Sequence, residues 1–355
     1  MKILIIKNKP ATPNLKSANN QEIGLARALI NKKNEVGIVY FTNEKYHEVE
    51  LDGITIYYIP GKKILNYALY DKRLYDLCDK YDIIQTAEYN QIMSYRLSKK
   101  YSNKVVIYHG PYYRKYYLSI INNMLFDLFY LRRYLKLQPR IIAKSKLAEE
   151  FLTKKGFKNV KTLGVGLDDN SLKTGSFNKD IVNTFKKDKI NLCCIGLINK
   201  RKNQLFLLKV LKELIKKDNR YHLTFLGKPD EKYKKKCLKY IRKNNLDDYV
   251  TFMQKINQDE IINVYKNIDV LVHAATYEIF GMILLEAMYF DVPIVTNYNG
   301  GASYLLNEDS VVTGLDIDEY VNKILKIKKP KYNKQKLLWE DKVNEFLKFY
   351  NNHSK

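Results

Sequence analysis

Residues Asp269 to Gly301 read DVLVHAATYEIFGMILLEAMYFDVPIVTNYNGG, and the order of patterns in this stretch decides the fold. Asp269 to Ala274 is an apolar run of strand length. Thr276 to Gly281 holds polar and glycine punctuation. Met282 to Phe290 is apolar and helix-favouring, and Val292 to Thr296 is a second short β-branched run. Strand, turn, helix, strand is a βαβ unit. It implies a parallel sheet, with ligands expected at the carboxyl ends of its strands.

The chemistry of the stretch sits at its strand-to-helix turn. Glu278 lies just before the helix. Phe280, Gly281 and Met282 supply the first amides, and a helix start with a glycine turn suits a phosphate, because unpaired N–H groups and the dipole both favour an anion. Glu286 follows on the helix. At about 1.5 Å per residue the two glutamates stand roughly 12 Å apart along the backbone. That is too far to share one atom, but it suits two contacts on a long ligand with a phosphate between them. Glutamates near helix starts also serve as caps and dipole partners, and this pair alone does not separate the two uses. Asn299, Gly300 and Gly301 close the unit with a second tight turn.

Taken together, Glu278 and Glu286 with FG at the turn, EAM on the helix, VPIVT on the strand and NGG after it resemble the retaining glycosyltransferases of family 4, whose signature is E-x7-E. The resemblance is strong over Ile190 to about Leu306 and continues more weakly towards the N-terminus. It implies an α/β chain of GT-B fold, with two Rossmann-like domains facing across a cleft. It also implies transfer of a sugar from a nucleotide diphosphate sugar with retention of configuration and without a catalytic metal or other cofactor. Glu278 would orient sugar hydroxyls and Glu286 would bind ribose hydroxyls. Near Gly196, where a strand ends, the run GLINKRKN looks like the family's G-R-L-x-x-x-K-[GN] motif. Lys202 and Asn203 match its last two positions, so Lys202 would hold the diphosphate. Leu197 stands where the motif has Arg, which removes a bidentate phosphate contact; Lys200 or Arg201 would have to replace that charge.

Working outward to the N-terminus, Lys2 to Ile6 reads as a strand, Lys7 to Asn20 as a polar loop, Gln21 to Lys33 as a helix and Val36 to Phe41 as a strand. Strands at Ile54 to Ile59 and Ile83 to Thr86 follow, then a helix over Glu88 to Lys100. Val105 to Tyr108 is a strand ending in His109, Gly110 and Pro111. A histidine there is either a hydrogen-bonded structural residue or a group facing a cleft; the resemblance implies the second, in contact with the donor sugar near the reaction centre. Asn170 to Lys187 is polar and reads as a linker. The expected domains are therefore 1–169 on the acceptor side, 188–330 for the nucleotide sugar, and a C-terminal helix, 331–355, packing back on the first domain.

The segment from Pro111 to Arg140 has an apolar centre (Ile120, Ile121, Met124, Leu125, Leu128, Phe129, Leu131) between basic ends, with Arg114 and Lys115 on one side and Arg132, Arg133, Lys136 and Arg140 on the other. It reads either as a core helix with solvated ends or as an interfacial helix on anionic lipid. Asp316 and Asp318 follow Gly314 at a predicted helix start. They serve as caps there, or as a divalent-ion pair, and they lie outside the donor motif.

Composition sets the remaining bounds. The 355 residues allow two or three domains with sizeable cores, and 46% hydrophobic content is that of a globular chain. A net charge of +24 attracts polyanions in general. No helix-turn-helix, zinc-finger or RNP-like aromatic motif accompanies it, so nucleic acid is not an expected partner. Cys78, Cys193, Cys194 and Cys237 form no CxxC pair, and no signal-peptide pattern or long apolar run appears. These features set the expectation of a cytoplasmic protein. The interfacial reading of the basic-apolar segment would make it peripheral on the inner face of the membrane, and the resemblance implies a saccharide or polyprenyl-linked acceptor in cell-surface polysaccharide or glycolipid synthesis. The alternative is a non-catalytic binding or partner subunit that keeps the fold.

Overall fold

The computed structural model describes residues 1–10, 20–113, 123–173 and 175–352. It divides into two compact units, Met1–Asp168 with Leu338–Lys355, and Asp169–Leu337. The expected polar loop falls largely on residues 11–19, which lie outside the described residues, as does the front of the basic-apolar segment, 114–122.

The first unit runs β1 (Lys2–Ile6), α1 (Gln21–Asn31), β2 (Glu35–Thr42), β3 (His47–Leu51), β4 (Ile54–Ile64), β5 (Tyr67–Tyr70), α2 (Arg73–Lys80), β6 (Ile83–Ala87), α3 (Ile92–Lys100) and β7 (Val105–His109). A helical run over 123–137 follows; it contains a π-turn at Asp127–Leu131 and ends as α4 (Arg132–Leu137). β8 (Arg140–Ala143), α5 (Lys146–Lys154) and β9 (Val160–Thr162) complete the unit. The strands order as β3-β4-β2-β1-β6-β7-β8-β9, with β5 beside β4. β3 and β5 pair antiparallel to β4, and the other pairings are parallel. Strands such as KILII are buried because helices cover both faces of a parallel sheet.

Two expectations change here. Glu88 was expected to begin a helix, but the helix starts at Ile92, and Glu88 sits in a left-handed conformation, φ 63°. The carboxylate it carries is engaged elsewhere, as described below. The antiparallel strands β3 and β5 also went unread. β3 is only five residues long and exposed over its first four, so its brief polar-apolar alternation gives no buried face to read.

The second unit opens with short helices α6 (Asn170–Lys173) and α7 (Lys179–Thr184). The stretch expected as a linker is thus folded into this unit: Ser176 N donates to Asp259 O and Asn178 Nδ2 to Glu260. Then come β10 (Ile190–Ile195), α8 (Gln204–Ile215), β11 (Tyr221–Leu226), α9 (Glu231–Lys243), β12 (Val250–Met253), α10 (Ile261–Tyr265), β13 (Val270–His273), α11 (Met282–Tyr289), β14 (Ile294–Asn297), α12 (Ala302–Leu305), β15 (Val311–Val312) and α13 (Ile317–Lys326). The sheet is wholly parallel, ordered β12-β11-β10-β13-β14-β15. α8 buries Phe206, Leu207, Leu208, Val210, Leu211 and Leu214 against it. Each such side chain contributes about 1.5–3 kcal/mol relative to exposure. Asp316 accepts from Glu319 N at 2.8 Å and caps α13.

The chain then returns to the first unit. The last helix, α14 (Trp339–Asn351), begins later than the expected position 331, and the residues before it form an irregular stretch and a 3-10 turn at Gln335–Leu337. Trp339 lies so close to Gly24 on α1 that a Cβ there would stand 2.7 Å from the indole Cδ1. Arg140 closes the other end. Its NH1 donates to the carbonyls of Tyr350 (2.9 Å) and Asn352 (3.2 Å), and cations are favoured at a helix C-terminus.

Candidate functional site

Open parallel sheets bind ligands beyond the carboxyl ends of their strands, where the strand order reverses. In the second unit that point lies between β10 and β13. β10 leads into Gly196 and the basic loop, and β13 leads into Ala274 to Glu278. Two motifs about 76 residues apart in the chain meet there.

The basic loop turns inward for a local reason. Asn199 Oδ1 accepts from Lys202 N at 3.0 Å, and Asn203 adopts a left-handed φ of 58° that asparagine tolerates. Lys202 is buried as a result. Its Nζ stands 2.6 Å from Glu278 Oε2 and 3.2 Å from His273 Nε2. Arg201 NH1 reaches the same carboxylate oxygen at 3.1 Å and donates to Tyr277 O at 2.9 Å. Arg201 therefore supplies the second cation, while Lys200 is exposed and Leu197 points to solvent at 49% exposure. Gly196, also assigned to this site, packs against the Lys202 stem, with an added Cβ 3.3 Å from its Cε.

The protonation of His273 follows from counting hydrogens. An ammonium donates and never accepts, so the Nε2 facing Lys202 is unprotonated. The ring proton sits on Nδ1 and is donated to Thr296 Oγ1 at 3.1 Å, and the Thr296 hydroxyl donates in turn to Asn297 O at 3.2 Å. Every atom in this chain has a partner when the imidazole is neutral. Burial, and then the Lys202 charge, push the His273 pKa down to about 3. For Glu278, burial alone would raise the pKa; the charges of Lys202 and Arg201 outweigh it and hold the carboxyl below its ordinary range.

The NGG turn, expected as a second tight turn, also makes a close backbone contact. Gly300 N donates to Glu278 O at 3.0 Å, and added Cβ atoms at Gly300 and Gly301 would stand 1.9 Å from Ile279 O and 1.6 Å from Phe280 O. The two glycines let the backbones of the NGG and EIFG turns touch, which fixes the height of Glu278. Phe280 is buried beside Tyr304. Gly281, φ 77°, is the cap residue of α11 and offers no side chain to its amides, so Met282 begins a helix whose start has no side-chain cap.

Glu286 is placed apart from that cluster. It is buried on α11; Tyr265 OH donates to its Oε2 at 2.7 Å and Gln258 Nε2 to its Oε1 at 3.4 Å. Beside the carboxyl ends of β11 and β12 lies a cavity of about 290 Å³, lined by Ile198, Lys228, Phe252, Met253 and Gln254 among others. A larger cavity, about 800 Å³, is lined by Pro293, Asp309, Ser310 and Tyr332. These residues precede β14 and β15 or follow α13, so that cavity is at the opposite edge of the sheet.

The first unit has its own polar cluster at the carboxyl ends of β1, β6, β7 and β8. His109, the last residue of β7, is fully buried, with Nδ1 2.7 Å from Glu88 Oε2. The same carboxylate accepts from Gly110 N at 3.2 Å. The left-handed turn at Glu88 is what brings its carboxylate under β7. Burial would raise the Glu88 pKa, but His109 and Lys144 outweigh it and hold it at about 2. Lys144 Nζ donates to Gln21 Oε1 at 3.0 Å and lies 4.5 Å over the Tyr108 ring, and Lys7 pairs with Glu22.

Sequence reasoning singled out Glu278, Lys202 and His109, which the structure places in these two clusters. It did not single out His273, Thr296 and Glu88, which lie against them, or Tyr265, which holds Glu286. A signal existed for His273. It ends a strand, as His109 does, and the rule that singled out one applied to both.

Comparison with known proteins agrees with this architecture. Residues 176–338 match the family described as "Glycosyl transferases group 1". A stretch of 140 residues is 28% identical to the alpha-1,3/1,6-mannosyltransferase ALG2 of Homo sapiens, covering 36% of this chain and 33% of that protein. The chain spans only 33–43% of the length of the curated relatives it matches. Among solved structures, a glycosyltransferase from Rickettsia africae superposes with a TM-score of 0.73 at 15% identity, over 100% of this chain and 98% of that one. HepE of Anabaena, in complex with UDP and glucose, gives 0.65 at 17%, over 98% and 94%. The two-unit α/β architecture is the GT-B fold.

Proposed function

We propose that this chain is a retaining glycosyltransferase that moves a sugar from a nucleotide diphosphate sugar to a saccharide or polyprenyl-linked acceptor. The observation that carries the reading is the Lys202–Glu278–Arg201 cluster at the reversal point of the second sheet. Breaking the bond between sugar and diphosphate leaves charge on the departing phosphate. Lys202, Arg201 and the helix start at Gly281 and Met282 are positioned to stabilise it. In this reading Glu278 contacts sugar hydroxyls, Glu286 is held by Tyr265 to receive ribose hydroxyls, and the cavity beside Phe252 takes the base. His109, oriented by Glu88, is the catalytic histidine. UDP and UDP-glucose in the HepE structures support a nucleotide sugar as donor. Retention, metal independence and a role in cell-surface polysaccharide or glycolipid synthesis rest on the resemblance alone.

The test is thermal stability against UDP, GDP, ADP, CMP and their sugars. A ligand at about 100 times its dissociation constant adds roughly 2.7 kcal/mol to the folded state. Stabilisation by one nucleotide is the expected result and names the base. No shift with any of them turns the assignment to a non-catalytic partner subunit.

A second observation favours a peripheral membrane location. Along the helical run 123–137, one face is turned inward: Phe126 and Tyr134 are buried, and Asp127, its only acid, pairs with Lys155 at 2.6 Å. The other face is exposed. Leu128 is 74% and Phe129 62% accessible, with Met124 and Leu125 a turn earlier and Arg132, Arg133 and Lys136 after them. Apolar side chains followed by cations, with the acid removed from that face, fit an anionic bilayer surface. No helix among the described residues is long and apolar enough to cross a membrane. At about 1 kcal/mol per cation near the surface, neutralising Arg132, Arg133 and Lys136 together should weaken binding to phosphatidylglycerol vesicles by about 100-fold. High salt should release the wild type. Binding that ignores both changes excludes this face.

A further inference from the structure

The donor reading has Lys202 and Arg201 holding a diphosphate, yet both already spend their charge on Glu278. A diphosphate and the Glu278 carboxylate therefore compete for the same cations. Resting on that reading, we propose that the Lys202–Glu278 ion pair is a latch that the donor's diphosphate opens, so that Glu278 becomes available to sugar hydroxyls only after the diphosphate has docked.

Three features of the cluster support the latch. Lys202 has three N–H donors, and His273 Nε2 and Glu278 Oε2 take two of them. The third gives an incoming phosphate oxygen a first contact before anything breaks. A diphosphate carries more negative charge than one carboxylate, and like charges brought within about 4–6 Å disfavour each other. The bound diphosphate thus weakens the hold of both cations on Glu278. Finally, His273 is wholly buried and tied to Thr296, so it keeps the Lys202 ammonium in place while the carboxylate leaves. The Glu278 backbone is pinned by Gly300 and its carboxylate is mostly buried, so its displacement is a side-chain movement within the site. Once displaced, it gains by accepting hydrogen bonds from a sugar. Recognition of the sugar is in this way made conditional on recognition of the phosphate, and a free sugar meets a carboxylate that is already satisfied.

The latch makes a prediction opposite to that of a simple contact residue. Glu278→Gln keeps the shape and removes the competing charge. By calorimetric titration of the full chain, E278Q should bind the nucleoside diphosphate that stabilises the wild type about tenfold more tightly, the scale of one charge-assisted hydrogen bond. Sugar transfer from the corresponding nucleotide sugar should fall at the same time. E278D, whose shorter carboxylate holds Lys202 less well, should also bind the nucleoside diphosphate more tightly than wild type, by a smaller factor. It decides the question if E278Q does not fold. Equal or weaker nucleoside diphosphate affinity in these variants overturns the latch while leaving the donor site standing. No binding of UDP, GDP, ADP or CDP by wild type or variant overturns the donor reading, and the latch with it.

Discussion

Replacing Lys202 with Ala is expected to weaken nucleoside diphosphate binding by about 10- to 150-fold, the range for a hydrogen bond to a charged group. It should also destabilise the second unit. Lys202 is the main opposing charge to a carboxylate that burial would otherwise raise in pKa. Removing one member of a buried pair leaves the other uncompensated, at a cost of about 3–5 kcal/mol when nothing replaces it. Arg201, 3.1 Å from the same oxygen, limits that loss. The sign with pH can be worked out. The folded-state pKa of Glu278 is lowered, so its stabilising contribution is present above the unfolded pKa, about 4.5, and is lost as pH falls through the folded value. The wild type and Lys202→Ala should therefore differ most in urea unfolding near pH 7 and converge on acidification. A difference that grows as pH falls would contradict the assigned pair.

The second large effect belongs to His273. The folded protein holds this ring neutral with a pKa of about 3, against an ordinary value of 6.5 in the unfolded chain. Between those values the unfolded state binds a proton that the folded state does not. Stability from this group is full above pH 6.5 and is lost as pH falls towards 3, at up to about 1.4 kcal/mol per pH unit. His273→Gln retains an acceptor for Lys202 and a donor for Thr296 but has nothing to titrate. At pH 7.5 the variant should be the less stable protein through lost packing. Its disadvantage should shrink steadily towards pH 5, because only the wild type pays the protonation cost. Parallel stability curves for the two proteins across this range would show that His273 is not the buried neutral acceptor of Lys202.

Much of the site was legible because its chemistry is local. The spacing of Glu278 and Glu286, the FG turn and the Lys202–Asn203 pair are short motifs. Each imposes its backbone conformation within a few residues: a left-handed Asn203, a positive φ at Gly281. What was not legible is which groups end up on which. Leu197 looked like a lost phosphate contact, but the loop conformation sends Arg201 to the carboxylate and Leu197 to solvent. Glu88 read as the first residue of a helix running to Lys100. The pull of His109 and the Gly110 amide decides its left-handed turn. The 170–187 stretch read as a linker because it is mostly polar and its apolar residues are scattered, yet Leu172, Ile181 and Phe185 are buried and Asn178 bonds to Glu260 in the second unit.

The sequence by itself therefore determined the two layers built on parallel strands, the strand-turn-helix that carries Glu278 and the strand-loop that carries Lys202. Period, glycine punctuation and motif spacing are properties of neighbouring residues. Only the tertiary structure decided that Lys202 lies between His273 and Glu278, 71 and 76 positions away, and that Gly300 and Gly301 pack on the Glu278 turn. The physical reason is that strand order in a parallel sheet is set by burial across the whole unit. Which carboxyl ends become neighbours, and hence which charges are buried together, follows from that order and not from any single stretch of chain.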